Sequence, residues 1–164
     1  MIRYHPRCPW LDDSGEMIRV PVMICALRDI RTDELAAVSC RRLTPQAEKV
    51  GKPRFRGEAA NAAIKLDADE NVTNGLHVCE GVETGIAGRM LGLKPMWCLG
   101  SKGAIAAFPV LGGVDCLTIL AEPDAEAAVE QCARRWYEAG REVIINRSKI
   151  GKDLADALAE RRRV

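Results

Sequence analysis

The stretch TILAEPDAE, residues 118–126, decides the fold of this chain, because a core strand, two acids and a helix start meet in it. The apolar run at residues 117–121 has the aliphatic and β-branched content of a buried strand. It ends at Glu122-Pro123-Asp124, so two carboxylates follow the strand directly. Two acids held at a strand end repel each other unless a positive charge lies near both. The stretch therefore predicts a strand end that holds a cation.

Strands and helices alternate in the second half of the sequence. Short apolar runs predict strands at residues 76–80, 96–100, 116–122 and 142–147. Helical spacing of apolar residues predicts helices at residues 82–93, 102–111, 124–140 and 152–163. This alternation is typical of βαβ units, so we predict a Rossmann-like α/β fold with a four-stranded parallel sheet and flanking helices.

The first half of the sequence lacks this alternation. Residues 20–30 and 34–43 are two β segments around the turn sequence RTDE, and they predict an antiparallel hairpin. A basic loop follows at residues 48–57, and residues 62–67 are consistent with a further short strand. The predicted domains are a small N-terminal antiparallel β appendage at 1–72 and the α/β domain at 73–164.

Composition excludes several classes of protein. The 164 residues include 24 basic and 23 acidic side chains, so no overall field directs the chain to nucleic acid or membrane. No apolar run has transmembrane length and no signal-peptide pattern is present, so we expect a cytoplasmic protein without a membrane partner. The seven cysteines lack a C-x-x-C pair and are predicted to be reduced core thiols. His5 and Cys8 have a spacing that is found in zinc sites, but no second pair follows them.

Acids fall at the ends of two predicted strands. The first strand finishes at Glu80-Gly81 and the third at Glu122 and Asp124. Ligands of open parallel sheets bind beyond the carboxyl ends of the strands, and residues at i and i+2 of an extended segment point to one side. Three carboxylates around one point would suit Mg²⁺ or Mn²⁺, and Gly81 would permit a tight turn. The alternative, equally supported by spacing, is that Asp124 only favours a helix N-terminus while both glutamates are solvated.

Two segments resemble a known family. LHVCEGVETGIAG at residues 76–88, followed by LTILAEPDAEA at 117–127, resembles the Toprim domain, the catalytic fold shared by DnaG-type primases, type IA and type II topoisomerases and some nucleases. CLGSKGAIAAFP at 98–109 and GKDLADAL at 151–158 extend the resemblance to the primase-like Toprim proteins of phages and plasmids. N-terminal segments such as GKPRFRG also look like that branch, so the resemblance covers nearly the whole chain.

The resemblance implies roles for individual residues. Glu80 matches the Toprim glutamate that acts as general acid or base and takes part in the metal site. Glu122 and Asp124 match the acidic pair that holds Mg²⁺ (or Mn²⁺), and Asp124 is with Glu80 a candidate catalytic residue. The candidate supporting residues are Gly81, Glu83 and Asp153. The candidate phosphate-binding lysines are Lys102 and Lys152. For Glu83 a solvated helix acid is an equal alternative.

The basic loop of the first half is a candidate nucleic-acid contact. Lys52, Arg54 and Arg56 surround Phe55. Cations that follow a backbone, with an aromatic ring that stacks on a base, are typical of single-strand binding surfaces. On sequence alone, an ordinary exposed loop is the more frequent explanation of such a segment.

The chain departs from the family pattern at the acidic pair. Glu122 stands where the family has aspartate, and the glycine that usually follows the pair is absent. The sequence also begins where a primase would already have supplied a zinc-binding domain, and it holds no Walker A motif of a fused helicase. We therefore expect the isolated chain to be inactive in primer synthesis.

The sequence leaves two functions open. The first is a primase-like protein of DNA replication, with Mg²⁺-dependent nucleotidyl transfer on a single-stranded DNA template, nucleotides as substrates and a helicase or other replication protein as partner. The second is a non-catalytic Toprim remnant that binds DNA or a partner within a mobile element. A phospho-receiver is a third class, but GSKGA and GKD do not fit the order of its acceptor and lysine.

Overall fold

The computed structural model describes residues 2–147, which form two compact units, one up to Ala62 and one from Ala63 onward. The first unit is an antiparallel sheet in which β2 pairs with β1 and β3, and β3 pairs with β4. Its strands are β1 (Ile2–Leu11), β2 (Met17–Asp29), β3 (Leu35–Arg42) and β4 (Arg54–Gly57). The predicted hairpin is confirmed, since β2 and β3 form it.

Two strands of the first unit were not predicted from the sequence. β1 includes the proline-interrupted segment that offered His5 and Cys8 as a metal pair, and its pairing register shifts between these two residues. β4 lies inside the predicted basic loop, where Arg54 pairs with Cys40 of β3. Both strands expose most of their side chains, so neither carries the continuous apolar signal that identifies a buried strand. The loop prediction for residues 54–57 is therefore wrong.

The second unit contains a five-stranded sheet in the order β5-β7-β6-β8-β9, in which β5 is antiparallel to β7 and all other neighbours are parallel. Its elements are β5 (Ala62–Lys65), a 3-10 turn (Asp69–Asn71), β6 (Gly75–Cys79), α1 (Val82–Met90), β7 (Met96–Cys98), α2 (Lys102–Ala107), β8 (Cys116–Ala121), α3 (Glu126–Glu138) and β9 (Glu142–Arg147). The four predicted parallel strands are present, and β6 and β8 lie side by side as predicted.

The sheet is larger than predicted because β5 adds an antiparallel strand beside β7. All four residues of β5 are buried, including Lys65. The Lys65 ammonium lies 2.7 Å from a carboxylate oxygen of Asp69 and 4.5 Å from the centre of the Trp97 ring. An ion pair and a cation–π contact thus stabilise a lysine in a buried strand, which a short apolar pattern does not reveal.

Small residues and aromatic rings close the core of the second unit. A Cβ on Gly88 would lie 3.0 Å from Leu120 and 3.0 Å from Met96, so α1 approaches the sheet closely at this glycine. After α2, the ring of Phe108 stacks on Trp136 of α3 with a centroid distance of 5.9 Å. These contacts fix α1, α2 and α3 around the strands whose ends carry the acids.

All seven cysteines are free thiols, as predicted. The helix predicted at 152–163, together with Lys152 and Asp153, lies outside the described residues. Among the helices of residues 2–147, none has the length and hydropathy needed to cross a membrane.

Candidate functional site

Two acid-bearing strand ends meet at the carboxyl edge of the second unit's sheet. β6 and β8 are parallel neighbours, with Cys79 in register with Leu120. Glu80 leaves β6 one residue after Cys79, and Glu122 leaves β8 directly after Ala121. Because β6 and β8 are parallel neighbours, the two acidic residues that follow them lie at the same edge of the sheet.

Gly81 lies between Glu80 and the start of α1, close to the side chain of Glu122. A Cβ on Gly81 would lie 3.7 Å from Glu122 Oε1, 3.7 Å from Glu83 Oε2 and 3.6 Å from Thr84 Oγ1. Its φ and ψ of −90° and 147° are extended values that any residue adopts, and these distances are ordinary contacts. The turn therefore does not require glycine's conformational freedom, contrary to the sequence prediction. A small side chain at this position would contact Glu122, Glu83 and Thr84 without a clash.

Thr84 is a site residue that the sequence analysis missed. It lies in the first turn of α1 and is 3 % exposed, and its Oγ1 lies 3.5 Å from Glu122 Oε1, to which it donates a hydrogen bond. This contact links α1, which follows Glu80, to the end of β8. The signal in the sequence was the threonine four residues after Glu80, but without the β6–β8 pairing it could not be connected to Glu122.

Glu80 is held in an unfavourable environment. Its Oε2 is buried and has no hydrogen-bond partner among residues 2–147. Burial raises the pKa of Glu80, the Asp124 carboxylate acts in the same direction, and the Lys102 ammonium opposes both. A carboxylate oxygen buried without a partner costs free energy, so Glu80 has unused capacity to bind a proton or a cation.

The positive charge beside Asp124 is the ammonium group of Lys102. It is the first residue of α2, and the preceding Ser101 caps the helix by accepting a 3.1 Å hydrogen bond from the Ala104 amide. Lys102 Nζ lies 2.5 Å from Asp124 Oδ2. The hydrogen bond to Asp124 raises the pKa of Lys102, and the charges of Glu80 and Glu122 contribute in the same direction. The ammonium is therefore coupled to all three predicted acids.

The acidic pair itself adopts a turn. The Ala125 amide donates to the Glu122 carbonyl at 3.1 Å, and α3 begins only at Glu126. The predicted extended geometry, with Glu122 and Asp124 on one side of a strand, is therefore wrong. Pro123 explains the difference, since its fixed φ favours the second position of a turn. Lys102 holds the pKa of Asp124 below its usual value through their hydrogen bond.

Within residues 2–147, no group of three or more His, Cys, Asp or Glu side chains is placed so that it could hold a metal ion. What fits a hard divalent cation at this edge is the chemistry of the individual donors. Three observations support the fit. The available donors are carboxylate oxygens, Glu80 Oε2 is buried without a partner, and the Lys102 ammonium already stands in for a cation at Asp124.

A pair of buried thiols lies beneath the turn. Cys79 Sγ donates to the Gly81 carbonyl at 3.2 Å, and Cys79 is in register with Cys98 on β7. The hydrogen bond with Cys98 raises the pKa of the Cys79 thiol well above its ordinary value, and burial and the nearby glutamates add to this. The Cys79 thiol therefore holds the backbone between Glu80 and α1 through its hydrogen bond to the Gly81 carbonyl.

The arginines predicted to bind nucleic acid lie in the first unit. The Arg54 guanidinium lies 4.2 Å from the centre of the Trp10 ring and donates a 2.6 Å hydrogen bond to the Leu11 carbonyl. Arg54 and Arg56 line a cavity of about 330 Å³ with Trp10 and Met17. Phe55 is 41 % exposed, and Lys52 is exposed. Arg54 thus has a structural role, while the other cations remain available to solvent.

Comparisons with known proteins identify the fold. No family model and no curated protein matches the sequence. Solved structures do match: a DNA primase domain from Pseudomonas aeruginosa has a TM-score of 0.60 and 16 % identity, covering 91 % of this chain and 50 % of that chain. The catalytic core of E. coli primase has a TM-score of 0.60 and 14 % identity, covering 91 % and 52 %. A DnaG primase catalytic domain bound to ssDNA has a TM-score of 0.58 and 14 % identity, covering 93 % and 53 %.

The fold of this chain is therefore that of DnaG-type primase catalytic cores. The likeness extends over nearly all of the chain, which spans about half the length of each of these primase structures. At identities of 14–16 % this is a likeness of fold alone.

Proposed function

We propose that this chain is a Toprim primase-like protein of the kind found in phages and plasmids, and that it acts in metal-dependent nucleotidyl transfer on DNA. The observation that carries the proposal is the carboxyl edge of the β6–β8 pair, where Glu80 and Glu122 follow neighbouring strands and Asp124 pairs with Lys102. Acids at the carboxyl edge of an open parallel sheet, where such folds bind ligands, support a role in phosphoryl transfer.

Glu80, Glu122 and Asp124 would hold Mg²⁺ or Mn²⁺. When bound, the cation would neutralise and align phosphate oxygens. Glu80 would accept or return a proton at its carboxylate, because its raised pKa brings it nearer to the operating pH of a general base. Thr84 would orient Glu122 through the hydrogen bond to Oε1. Supporting roles for Glu83 and Asp153, and phosphate binding by Lys152, remain part of this proposal.

DNA is the proposed partner. One of the matching primases is a complex with ssDNA and another, from Mycobacterium tuberculosis, is a complex with double-stranded DNA. Exposed Phe55, flanked by Lys52 and Arg56, is the surface of the first unit best suited to stack on a base and contact a phosphate backbone. Nucleotides and a helicase or other replication protein complete the proposed set of partners.

A non-catalytic module is the second candidate, and the Lys102–Asp124 pair favours it. The Lys102 ammonium already neutralises the Asp124 carboxylate without metal. Glu122, longer than aspartate by one methylene, also places its carboxylate differently from the family pattern. Such a chain would keep the primase fold and bind DNA or a partner without chemistry.

Metal titration tests the proposed function. Mn²⁺ should bind wild-type protein, and Glu80→Gln and Asp124→Asn should each weaken binding by about tenfold, because each removes a charged ligand. Asp115→Asn is the matched control, since Asp115 precedes β8 at the opposite edge of the sheet and pairs with Arg141. Wild-type protein that binds neither Mn²⁺ nor Mg²⁺ at millimolar concentration would exclude the metal site and favour the non-catalytic module.

A primer-synthesis assay then separates the two functions. With single-stranded template, nucleotides and Mg²⁺, an active chain should extend primers, and Glu80→Gln should abolish extension while metal binding is only weakened. Metal binding without any product, in an assay where a bacterial primase is active, would assign the chain to the binding module.

A further inference from the structure

The loop that carries Lys102 is fixed to the backbone of Glu80. The Gly100 amide donates to the Glu80 carbonyl at 2.9 Å, and the Leu99 amide donates to the Cys79 carbonyl at 2.8 Å. Ser101 then caps α2 and places Lys102 at its first position. These hydrogen bonds fix the backbone position of Lys102 relative to Glu80. The side chain therefore starts from a fixed point near the acids, and its ammonium contacts Asp124.

The ion pair made by Lys102 can open at small cost. Its side chain is 41 % exposed and that of Asp124 is 72 % exposed. Ion pairs at this exposure contribute little to stability, since water solvates either partner when they separate. The four-carbon stem also allows the ammonium to move while its backbone anchor stays in place.

We propose that Lys102 is an exchangeable counter-ion, which occupies Asp124 when no metal is present and gives up this carboxylate to a divalent cation. The inference rests on the proposed metal site at Glu80, Glu122 and Asp124. One cation replaces another in this exchange, so the lysine stays protonated and no proton is released. The displaced ammonium then lies at the edge of a metal-loaded site, where the phosphate of a nucleotide is the anion it can bind.

The exchange makes two opposite predictions for Lys102→Met. Metal binding should become tighter, on the order of fivefold, because the cation no longer competes with an ammonium at Asp124. Binding of inorganic pyrophosphate in saturating Mn²⁺ should become weaker by a similar factor, because the displaced ammonium is missing. A lysine with only a structural role would change neither affinity in this opposing manner.

The experiment follows free Mn²⁺ by electron paramagnetic resonance with Mn²⁺ alone. Equilibrium dialysis of labelled pyrophosphate in saturating Mn²⁺ measures the second affinity, because pyrophosphate itself chelates Mn²⁺. Lys94→Met is the matched control, since Lys94 is an exposed lysine just before β7, at the opposite edge of the sheet. Thermal unfolding with a chelator checks the fold: Lys102→Met should unfold at nearly the same temperature as wild type, because the exposed ion pair contributes little to stability.

The possible outcomes distinguish the exchange at Lys102 from the proposed metal site on which it rests. Tighter Mn²⁺ binding by Lys102→Met than by a wild type that also binds Mn²⁺ supports the exchange. Mn²⁺ binding by the variant alone would exclude the metal site in the wild type, and the exchange with it. Unchanged or weaker Mn²⁺ binding by the variant, with Asp124→Asn still impaired, overturns the exchange and leaves the metal site standing. Absence of Mn²⁺ binding in both proteins overturns the metal site, and the exchange with it.

Discussion

Two acids at opposite edges of the same sheet have opposite environments. At the amino edge, Asp67 accepts hydrogen bonds from Arg89 Nε at 2.9 and 3.0 Å and from the Met96 amide at 3.0 Å. At the carboxyl edge, Glu80 has a buried oxygen without a partner in the described chain. The first acid is fully satisfied and the second is not, although both follow strands of one core.

The pKa directions express this difference. Burial raises the pKa of Asp67, but the hydrogen bonds from Arg89 and Met96 outweigh it, so the net pKa is lowered. Burial also raises the pKa of Glu80, and there the Lys102 charge does not compensate, so the net pKa stays raised. Asp67 therefore stabilises the fold in its charged form, whereas Glu80 keeps a carboxylate available for a ligand at a cost in stability.

Asp67→Ala should have the largest effect on stability. The change removes three hydrogen bonds to a buried carboxylate and leaves the Met96 amide without a partner, which costs about 3 kcal/mol. Urea unfolding measures it, with Asp115→Ala as the control because Asp115 belongs to an exposed ion pair. A loss of unfolding free energy no greater than that of Asp115→Ala would show that Asp67 does not stabilise the fold.

The stability contributed by Asp67 should depend on pH. Its folded pKa is depressed, so the contribution is present above the unfolded value of 3.8 and is lost as pH falls through the folded value. The stability difference between wild type and Asp67→Asn should therefore narrow in acid. A difference that stays constant from pH 7 to pH 3 would contradict the charged role of Asp67.

Gly85→Ala should have the next largest effect on stability. Gly85 is a buried residue of α1 that packs on Cys79 and Cys98. A Cβ at Gly85 would overlap Cys98 Sγ and would lie 3.0 Å from Cys79 Sγ, so we expect a loss of about 2 kcal/mol from overpacking. Adding Cys98→Ala should recover part of it, because the closest atom is gone. Gly103→Ala in α2 is the matched control, since only Ser101 Oγ at 3.9 Å lies near its Cβ position. Absence of recovery in the double variant would show that the thiol pair does not limit the space under α1.

The sequence revealed the parallel sheet and its acids but not their local geometry. The strands were predictable because β6 and β8 are continuous apolar runs, and neighbouring parallel strands bring Glu80 and Glu122 to one edge. The turn at Pro123 is a local feature that the extended interpretation overlooked, whereas the hydrogen bond from Thr84 to Glu122 joins segments about forty residues apart. Lys102 was predicted as a phosphate ligand, and no local pattern could show that it pairs with Asp124.

The unpredicted strands have a similar physical explanation. β4 and β1 are edge strands of the first unit with mostly exposed side chains, so their pairing with β3 and β2 is set by the neighbouring strands and not by their own hydrophobicity. The cation–π contact of Arg54 with Trp10 lies at this place, which explains why a basic segment belongs to a sheet.

Glu80→Gln should have the smallest effect on stability and the opposite sign. Without metal at pH 7, the amide removes the charge of a partly exposed side chain with one unsatisfied buried oxygen. Solvent screens this charge, so the variant should be more stable than wild type by only about 0.5 kcal/mol. The folded pKa of Glu80 lies above its ordinary 4.5, so the folded protein binds the proton more tightly and the wild type loses stability as pH rises through this interval. The gain from Glu80→Gln should therefore disappear as pH falls to about 4. Glu130→Gln, at an exposed position of α3, is the control and should change little. Urea unfolding at a series of pH values measures the gain, and a variant less stable than wild type at pH 7 would show that Glu80 is a structural acid like Asp67.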